Sequence, residues 1–232
     1  MTAPDDAGPA LLDGATPTRR EVAALEATGR PALLRDCNLT EADLSDLDLS
    51  NWRFERCQMR GIRLTQTLLE GAEFQQCRGA FAMAAGARLS DALLRGCDFN
   101  NADFSGAVLT GAGFHGCKLT GAGFAKAHVT GLALEDCLLT DARLPGLSFR
   151  KARLNGVDFS HADLSSCDFR DAEFDACSLR DAHVVGARFE GADLRGADLG
   201  GLRLLDAGKF KGAIVSRQQA AELLGQLGLR VL

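Results

Sequence analysis

The stretch that decides the fold is CDFNN-ADFSG-AVLTG, residues 97–111, which divides into three units of five residues. In each unit a large apolar residue takes the third position, and Ala or Cys stands two places before it. The frame runs from Ala32 to Leu204: of 35 central positions, taken every five residues from Leu34, 33 are Leu, Phe, Val or Met. Of the 35 positions two places earlier, 27 are Ala or Cys. A period of five fits no α-helix, whereas residues two apart share one face of a strand. Each unit is therefore predicted to be a short strand with two inward side chains, followed by a turn.

The same frame predicts how the chain coils. The last position of each unit is Gly, Asp or Asn in 25 of 35 cases, and these residues best tolerate a left-handed backbone. The cysteines then show how many units complete one circuit, because six of them recur at every fourth unit and a seventh returns to the series after Val157. These seven are Cys37, Cys57, Cys77, Cys97, Cys117, Cys137 and Cys177. A recurrence at every fourth unit predicts four units per coil and a square cross-section.

This pattern resembles the pentapeptide repeat family, whose A(D/N)LxX units are matched from residue 32 to residue 207. The resemblance implies an all-β solenoid: a right-handed quadrilateral β-helix with short N-terminal and C-terminal capping helices. By itself the repeat is a scaffold and does not imply a function.

A solenoid needs caps at both ends, because each end exposes unpaired strand edges and core. Residues 1–17, rich in Pro and Gly, are predicted to be a disordered tail, and residues 18–30 an N-terminal cap helix that begins with a capping box, Thr18 to Glu21. The β-helix is predicted over residues 31–208. Residues 209–232 are predicted to form a C-terminal cap helix, opened by a second capping box from Ser216 to Gln219, and then a final strand at residues 229–232.

The C-terminal segment, from Ile214 to Val231, resembles that of the quinolone-resistance pentapeptide repeat proteins, in which it forms a homodimer interface. The resemblance implies a homodimer here, and an apolar helical face fits that role. The predicted dimerisation residues are Phe210, Leu223, Leu224, Leu227, Leu229 and Val231.

The segment from Arg78 to Gly86 is the weakest part of the repeat. Its two central residues, Gly79 and Ala84, are small, while Phe81 and Met83 take outward positions. Some quinolone-resistance proteins carry a functional loop that leaves the helix. A loop here would move Cys97 off the cysteine series, so the spacing favours a distorted coil over a loop.

Composition and charge narrow the classes of function. The 232 residues carry 26 Lys and Arg against 31 Asp and Glu, a net charge of −5, which argues against direct nucleic-acid binding. No apolar run is long enough for a transmembrane helix, and the first residues are acidic where a signal peptide would be basic. We therefore expect a cytoplasmic protein with no membrane partner.

Cysteine and histidine, the residue types that most often act in catalysis or metal binding, lie at positions that suit neither role. All eight Cys take the small inward slot, where stacked thiols suit neither zinc nor a disulfide, and they are predicted to be buried small hydrophobes. The four histidines fall at outward positions on four different sides, so they cannot form one site: His115, His128, His161 and His183. With no catalytic motif in the chain, we expect no enzyme activity, no cofactor and no metal.

The net charge differs between the first and the last coils of the repeat. Residues 32–156 hold 14 acidic and 14 basic residues, whereas residues 157–207 hold 11 acidic and five basic, a net charge of −6. No single side of the square is an acidic stripe. Outward acids of the last coils form the predicted partner-binding surface, an acidic saddle: Asp158, Asp163, Asp168, Asp171, Glu173, Asp175, Asp181, Glu190, Asp193 and Asp198.

Joining two such ends would place about −12 over roughly 25 Å of rod, close to the roughly −15 of B-DNA over the same length. Residues 208–232 add a charge of +3 per chain beside this surface. The resemblance to quinolone-resistance proteins implies DNA mimicry, with a type II topoisomerase, DNA gyrase or topoisomerase IV, as the partner that is protected from inhibitors. The alternative is a structural or scaffold repeat protein that binds another partner without mimicking DNA.

Overall fold

The structure, a computed structural model, describes residues 10–202, 207–226 and 228–230. Its main element is a parallel sheet of nine strands whose order in the sheet is their order in the chain. From β2 onward, each residue pairs with the one four units later, as Leu34 with Phe54, so each coil contains four five-residue units. The strands are β1 Ala10–Asp13, β2 Ala32–Arg35, β3 Arg53–Glu55, β4 Glu73–Gln75, β5 Leu93–Arg95, β6 Gly113–His115, β7 Ala133–Glu135, β8 Arg153–Asn155 and β9 Glu173–Asp175.

These strands form one side of a rod, side 1, and single parallel bridges between equivalent positions of successive coils hold the other three sides. We number them by their first residue: side 2 begins at Asn38, side 3 at Asp43 and side 4 at Asp48. Near the C-terminal end, β10 (Cys177–Ser178) and β11 (Ala197–Asp198) pair in parallel and continue side 2. The predicted four-sided β-solenoid is confirmed.

The corners of the rod have a left-handed backbone. Without exception, each fifth residue from Asp36 to Gly191 has a positive φ. This conformation turns the chain from one side to the next, and it explains why Gly, Asp and Asn prevail at the last position of the unit.

The core consists of stacked columns of central residues. Phe99, Leu119, Phe159 and Leu179 are buried as predicted, and rings one coil apart stack face to face, as Phe54 on Phe74 at 4.7 Å between centroids. All eight cysteines are free and buried. Burial raises the pKa of the Cys167 thiol to about 12, so that thiol is a packing group and not a nucleophile.

The segment from Arg78 to Gly86 stays within the ladder and forms no loop. Met83 bridges Arg63 in the coil before and Asp103 in the coil after. Gly79 leaves room for the next coil, because a Cβ at that position would clash with the ring of Phe99. The ring of Phe99 fills the space that a large side chain at position 79 would take, and the coil keeps its register.

At the N-terminal end, the prediction of a disordered tail over residues 1–17 is corrected for its second half. Strand β1 pairs with β2 in parallel, with Ala10 opposite Ala32, so the solenoid begins before the first repeat. Sequence reasoning missed this strand because it lies outside the five-residue frame. Helix α1 (Arg19–Glu26) lies in the connection between β1 and β2 and begins with the predicted Thr18–Glu21 capping box. Residues 1–9 of the predicted tail lie outside the described residues.

At the C-terminal end the ladder continues beyond residue 208, the predicted boundary, to a bridge between Asp193 and Ile214. This bridge spans one position more than four units, so one extra residue enters the last coil. A 3₁₀ helix, Ala207–Phe210, and helix α2, Arg217–Gln226, complete the structure. Residues 229 and 230, the described part of the predicted final strand, are not in a strand. Within the described part of the chain, no helix has the length and apolar character needed to span a membrane.

Candidate partner-binding surface

Five of the ten predicted saddle residues have a structural role that the sequence analysis missed. Each stands directly before a central residue, and its Oδ1 accepts the backbone N–H of the residue two places later, at 2.8 to 3.1 Å. The hydrogen bond closes the turn with one carboxylate oxygen. The second oxygen can accept from another group, as at Asp158, where Thr140 Oγ1 donates to Oδ2 at 3.2 Å. The sequence signal that could have predicted this role is the Asp at the second position of the A(D/N)LxX unit. The five are Asp158, Asp163, Asp168, Asp193 and Asp198.

Six of the ten acids are engaged by arginine. Four of these arginines belong to the last coils and two, Arg150 and Arg153, extend from the coil before. The pairs are Arg170–Asp168 at 2.8 Å, Arg195–Asp193 at 2.6 Å, Arg180–Asp198 at 2.9 Å, Arg188–Glu190 at 3.4 Å, Arg153–Glu173 at 3.3 Å and Arg150–Asp171 at 3.8 Å. Hydrogen bonds from the arginines hold the pKa of Asp168 and Asp193 below the usual value for aspartate. Arginine thus offsets much of the predicted acidic surface locally.

Four acids remain without an ion pair to any described residue: Asp158, Asp163, Asp175 and Asp181. Asp158 lies on side 2 and Asp163 on side 3, while Asp181 takes a left-handed position at the corner between those sides. Asp175 ends β9 on side 1. The ten acids therefore surround the rod, and three of the four unpaired ones meet along the edge between sides 2 and 3.

Five of the six predicted dimerisation residues, all except Phe210, fall into three groups. Leu224 and Leu229 are exposed, at 38% and 56%, and Ile214, which was not among the predicted contacts, is 47% exposed. Leu223 packs partly buried against the core. Leu227 and Val231 lie outside the described side chains.

Phe210 packs at the end of a core column. Its ring stacks on Phe189 at 4.9 Å and 8°, and so extends the column that includes Phe149 and Phe169. The extra residue in the last coil brings position 210, in place of 209, into the core. Phe210 is therefore partly buried at the end of this column, packed against the core. Its contact in a dimer interface stays a prediction.

Gln219 attaches helix α2 to the end of the solenoid. Its Nε2 donates to the carbonyls of Leu194 and Ala197, at 2.7 and 2.6 Å, and its Oε1 accepts the N–H of Ser216 at 2.7 Å. The residue is buried. Sequence analysis identified only the capping-box contact, because the two carbonyls belong to a coil that lies well before the helix in the chain.

No group of His, Cys, Asp or Glu within the described ranges has the arrangement of a metal site. His115 is paired with Glu135 at 2.9 Å, and the four histidines do not converge. The surface offers charge and shape for binding a partner.

Comparison with known families gives a match over most of the repeat. The profile of a pentapeptide repeat region matches residues 32–104 and 127–204, and a profile of eight pentapeptide repeats matches residues 87–124. Comparison with curated proteins gives no match.

Two solved structures are similar to this chain over most of its length. Full-length QnrB1, a plasmid-mediated fluoroquinolone resistance protein, is 21% identical with a TM-score of 0.54, over 95% of this chain and 98% of QnrB1. HetL, a pentapeptide repeat protein involved in heterocyst differentiation regulation in the cyanobacterium Nostoc sp. strain PCC 7120, is 21% identical with a TM-score of 0.39, over 83% of this chain and 87% of HetL. At 21% identity, the likeness to QnrB1 concerns the fold alone.

Proposed function

The chain belongs to the pentapeptide repeat family. We propose that it is a non-enzymatic, cytoplasmic DNA mimic. Its partner is a type II topoisomerase, DNA gyrase or topoisomerase IV, which it protects from inhibitors. The working form is a homodimer joined at the C-terminal ends.

The observation that carries this proposal is the unpaired acidic charge of the last coils. Residues 157–202 hold ten acidic and four basic residues, and four of the carboxylates have no ion-pair partner among the described residues. A DNA-binding groove is lined with Lys and Arg that neutralise phosphates. Fixed carboxylates on a rod attract the same groups, and the backbone hydrogen bonds of Asp158 and Asp163 hold two of them in place.

The dimer places this charge at the centre of the assembly. Ile214, Leu224 and Leu229 expose apolar side chains at the end of the rod that also carries the acids. Burying them against a second copy removes apolar surface from water. Two acidic ends then lie next to each other, and the neutral halves extend outward.

The mechanism is competition. By occupying the DNA-binding groove, or by destabilising the drug-trapped cleavage complex, the protein removes the state on which an inhibitor acts. Binding of this kind is steered by charge and weakens as salt rises.

A DNA gyrase supercoiling assay tests the function. Titrating the protein into a reaction with a quinolone should restore supercoiling, and a large excess without the drug should inhibit it. No effect in either titration would exclude the proposal.

A matched pair of charge variants tests the mechanism. Asp158, Asp163, Asp175 and Asp181, each changed to Asn, should weaken gyrase binding roughly tenfold at low salt, about 1.4 kcal/mol. Asn keeps the acceptor that the turns need. The control removes four unpaired acids from the neutral half that lie away from the edge between sides 2 and 3, with Asp46→Asn, Asp48→Asn, Asp91→Asn and Asp136→Asn. It should weaken binding less than about twofold, since that half presents no net charge.

The scaffold function remains the second candidate, and the six arginine-paired acids favour it. Ion pairs of this kind use acidic residues to stabilise the rod and not to bind a partner. Equal loss of gyrase binding from the two charge variants, or no loss from either, would support the scaffold function over DNA mimicry.

A further inference from the structure

Phe81 breaks the pattern of the other left-handed corners of the rod. Nineteen described residues other than Gly have a positive φ, and all but Phe81 and Ala176 carry polar or charged side chains. Phe81 has a φ of 63° and is 47% exposed. It is the one large apolar side chain among these left-handed residues.

Phe at this position lowers the stability of the unbound protein in two ways. A left-handed backbone costs a residue with a Cβ roughly 1–2 kcal/mol, and Phe gains no local hydrogen bond that would offset it, as Asn or Asp does. The ring also stays in contact with water instead of entering a core column. Folding of the solenoid therefore gives no reason for Phe at this corner.

The surroundings make the ring part of a rigid patch. The guanidinium of Arg60 lies 4.5 Å from the ring centroid, a cation–π contact that orients the ring. Met83, on side 3, is 39% exposed. Parallel bridges join it to Arg63 and Asp103 in the two adjacent coils, so its backbone is held in place. We define Arg60, Phe81 and Met83 as the aromatic anchor.

The aromatic anchor lies on the same edge of the rod as three of the four unpaired acids. Corner residues between sides 2 and 3 recur once per coil, so the edge leads from Phe81 to Asp141 and then to Asp181. Three coils separate Phe81 from Asp141, about 14 Å at the spacing of paired strands. Between these two, the edge carries only Asn101 and Gly121, so no bulky corner side chain intervenes. Further along, the edge carries His161 before Asp181. The side 2 and side 3 columns that border it hold Asp158 and Asp163, two of the four unpaired acids.

We propose that this edge is the face that binds the topoisomerase, with the aromatic anchor inserted into an apolar pocket at the border of the basic DNA-binding groove. The inference rests on the proposed function and adds a second, uncharged contact to it. Interface energy concentrates in a few aromatic and Arg residues surrounded by weaker contacts. Here the acids provide attraction and the anchor provides specificity, since DNA has no equivalent side chain.

The test variant is Phe81→Asn, which installs the residue found at the next corner of the same column, Asn101. Because Asn tolerates the left-handed backbone, the melting temperature should stay the same or rise. Affinity for purified DNA gyrase should fall roughly 10- to 30-fold, the usual loss when a central contact is removed. Gln66→Asn, a corner on another edge of the rod, is the control and should change neither quantity.

Salt separates the anchor from the charges. The fold-loss caused by Phe81→Asn should be the same at 50 and 200 mM salt, whereas that of the four-acid variant should shrink as salt rises. If the Phe81→Asn variant binds gyrase as tightly as the wild type while the four-acid variant binds more weakly, the role of the aromatic anchor is wrong and the proposed function stands. A wild-type protein that does not bind gyrase would overturn both, and equal losses from Phe81→Asn and Gln66→Asn would overturn the anchor.

Discussion

The two ends of the rod are closed by different means. At the N-terminal end, Arg19 donates to the carbonyls of Asp43 and Ser45, at 2.9 and 2.7 Å, and Glu26 accepts the N–H of Asp48. Val22 of helix α1 is fully buried. At the C-terminal end, Gln219 satisfies two carbonyls of the last coil, but Ile214, Leu224 and Leu229 remain exposed.

This difference fits the proposed dimer, which joins two copies at their C-terminal ends. Both caps satisfy backbone groups that the solenoid would otherwise leave unpaired. Only the C-terminal cap, among the described residues, also presents three large apolar side chains; near the N-terminal cap, Leu11 alone is comparably exposed. A cap that needed only to end the ladder would have no use for such a surface.

The largest effect is expected from removing residues 213–232. The truncated rod loses Gln219 and all three exposed apolar residues, so the last coil is left open and the protein should run as a monomer or aggregate in light scattering. The folded counterpart is Leu224→Lys with Leu229→Lys, which should be monomeric with an unchanged circular dichroism spectrum. A dimer that survives both changes would show that association uses another surface.

An intermediate effect is expected from Gln219→Leu. The change removes the Gln219 donor from the Ala197 carbonyl, and it leaves the Leu194 carbonyl with the N–H of Ala197 alone. It should lower the free energy of unfolding by about 1–3 kcal/mol. Denaturant unfolding measures this, with Gln218→Leu as the control, because the side chain of Gln218 bonds to the exposed Glu222. Equal destabilisation by both changes would mean that the two buried hydrogen bonds contribute little.

The smallest effect is expected from Arg19→Met. Arg19 also caps two carbonyls, but its side chain is 45% exposed, so water can replace it. We expect a loss below about 1 kcal/mol in the same unfolding experiment and no change in the dimer. A loss as large as that of Gln219→Leu would erase the energetic contrast between the two ends.

Much of the fold was predictable because the repeat is strictly local. Central residues such as Phe99 and Phe159, the four units per coil and both capping boxes follow from spacing alone. Strand β1 was not predictable in this way, because Ala10–Asp13 has no five-residue signature and is ordered only by pairing with β2.

The candidate surface was predictable in part. The outward positions of the acids followed from the frame, but their pairing did not. Asp171 and Glu173 bond to arginines of the preceding coil, whereas Asp168 bonds to Arg170 within its own turn. An arginine at an outward position can reach either neighbour, and side-chain torsions choose between them.

The amino-acid sequence by itself determined the coil, because a small and a large residue in every five share one inward face and the cysteines recur at every fourth unit. It also determined that the negative charge lies in the last coils. Only the tertiary structure decided which carboxylates stay unpaired, that Phe210 and not residue 209 enters the core, and that Phe81 shares an edge with Asp141 and Asp181. The physical reason is that a repeat specifies backbone register one unit at a time, whereas ion pairs, exposed rings and end caps depend on groups that meet across coils.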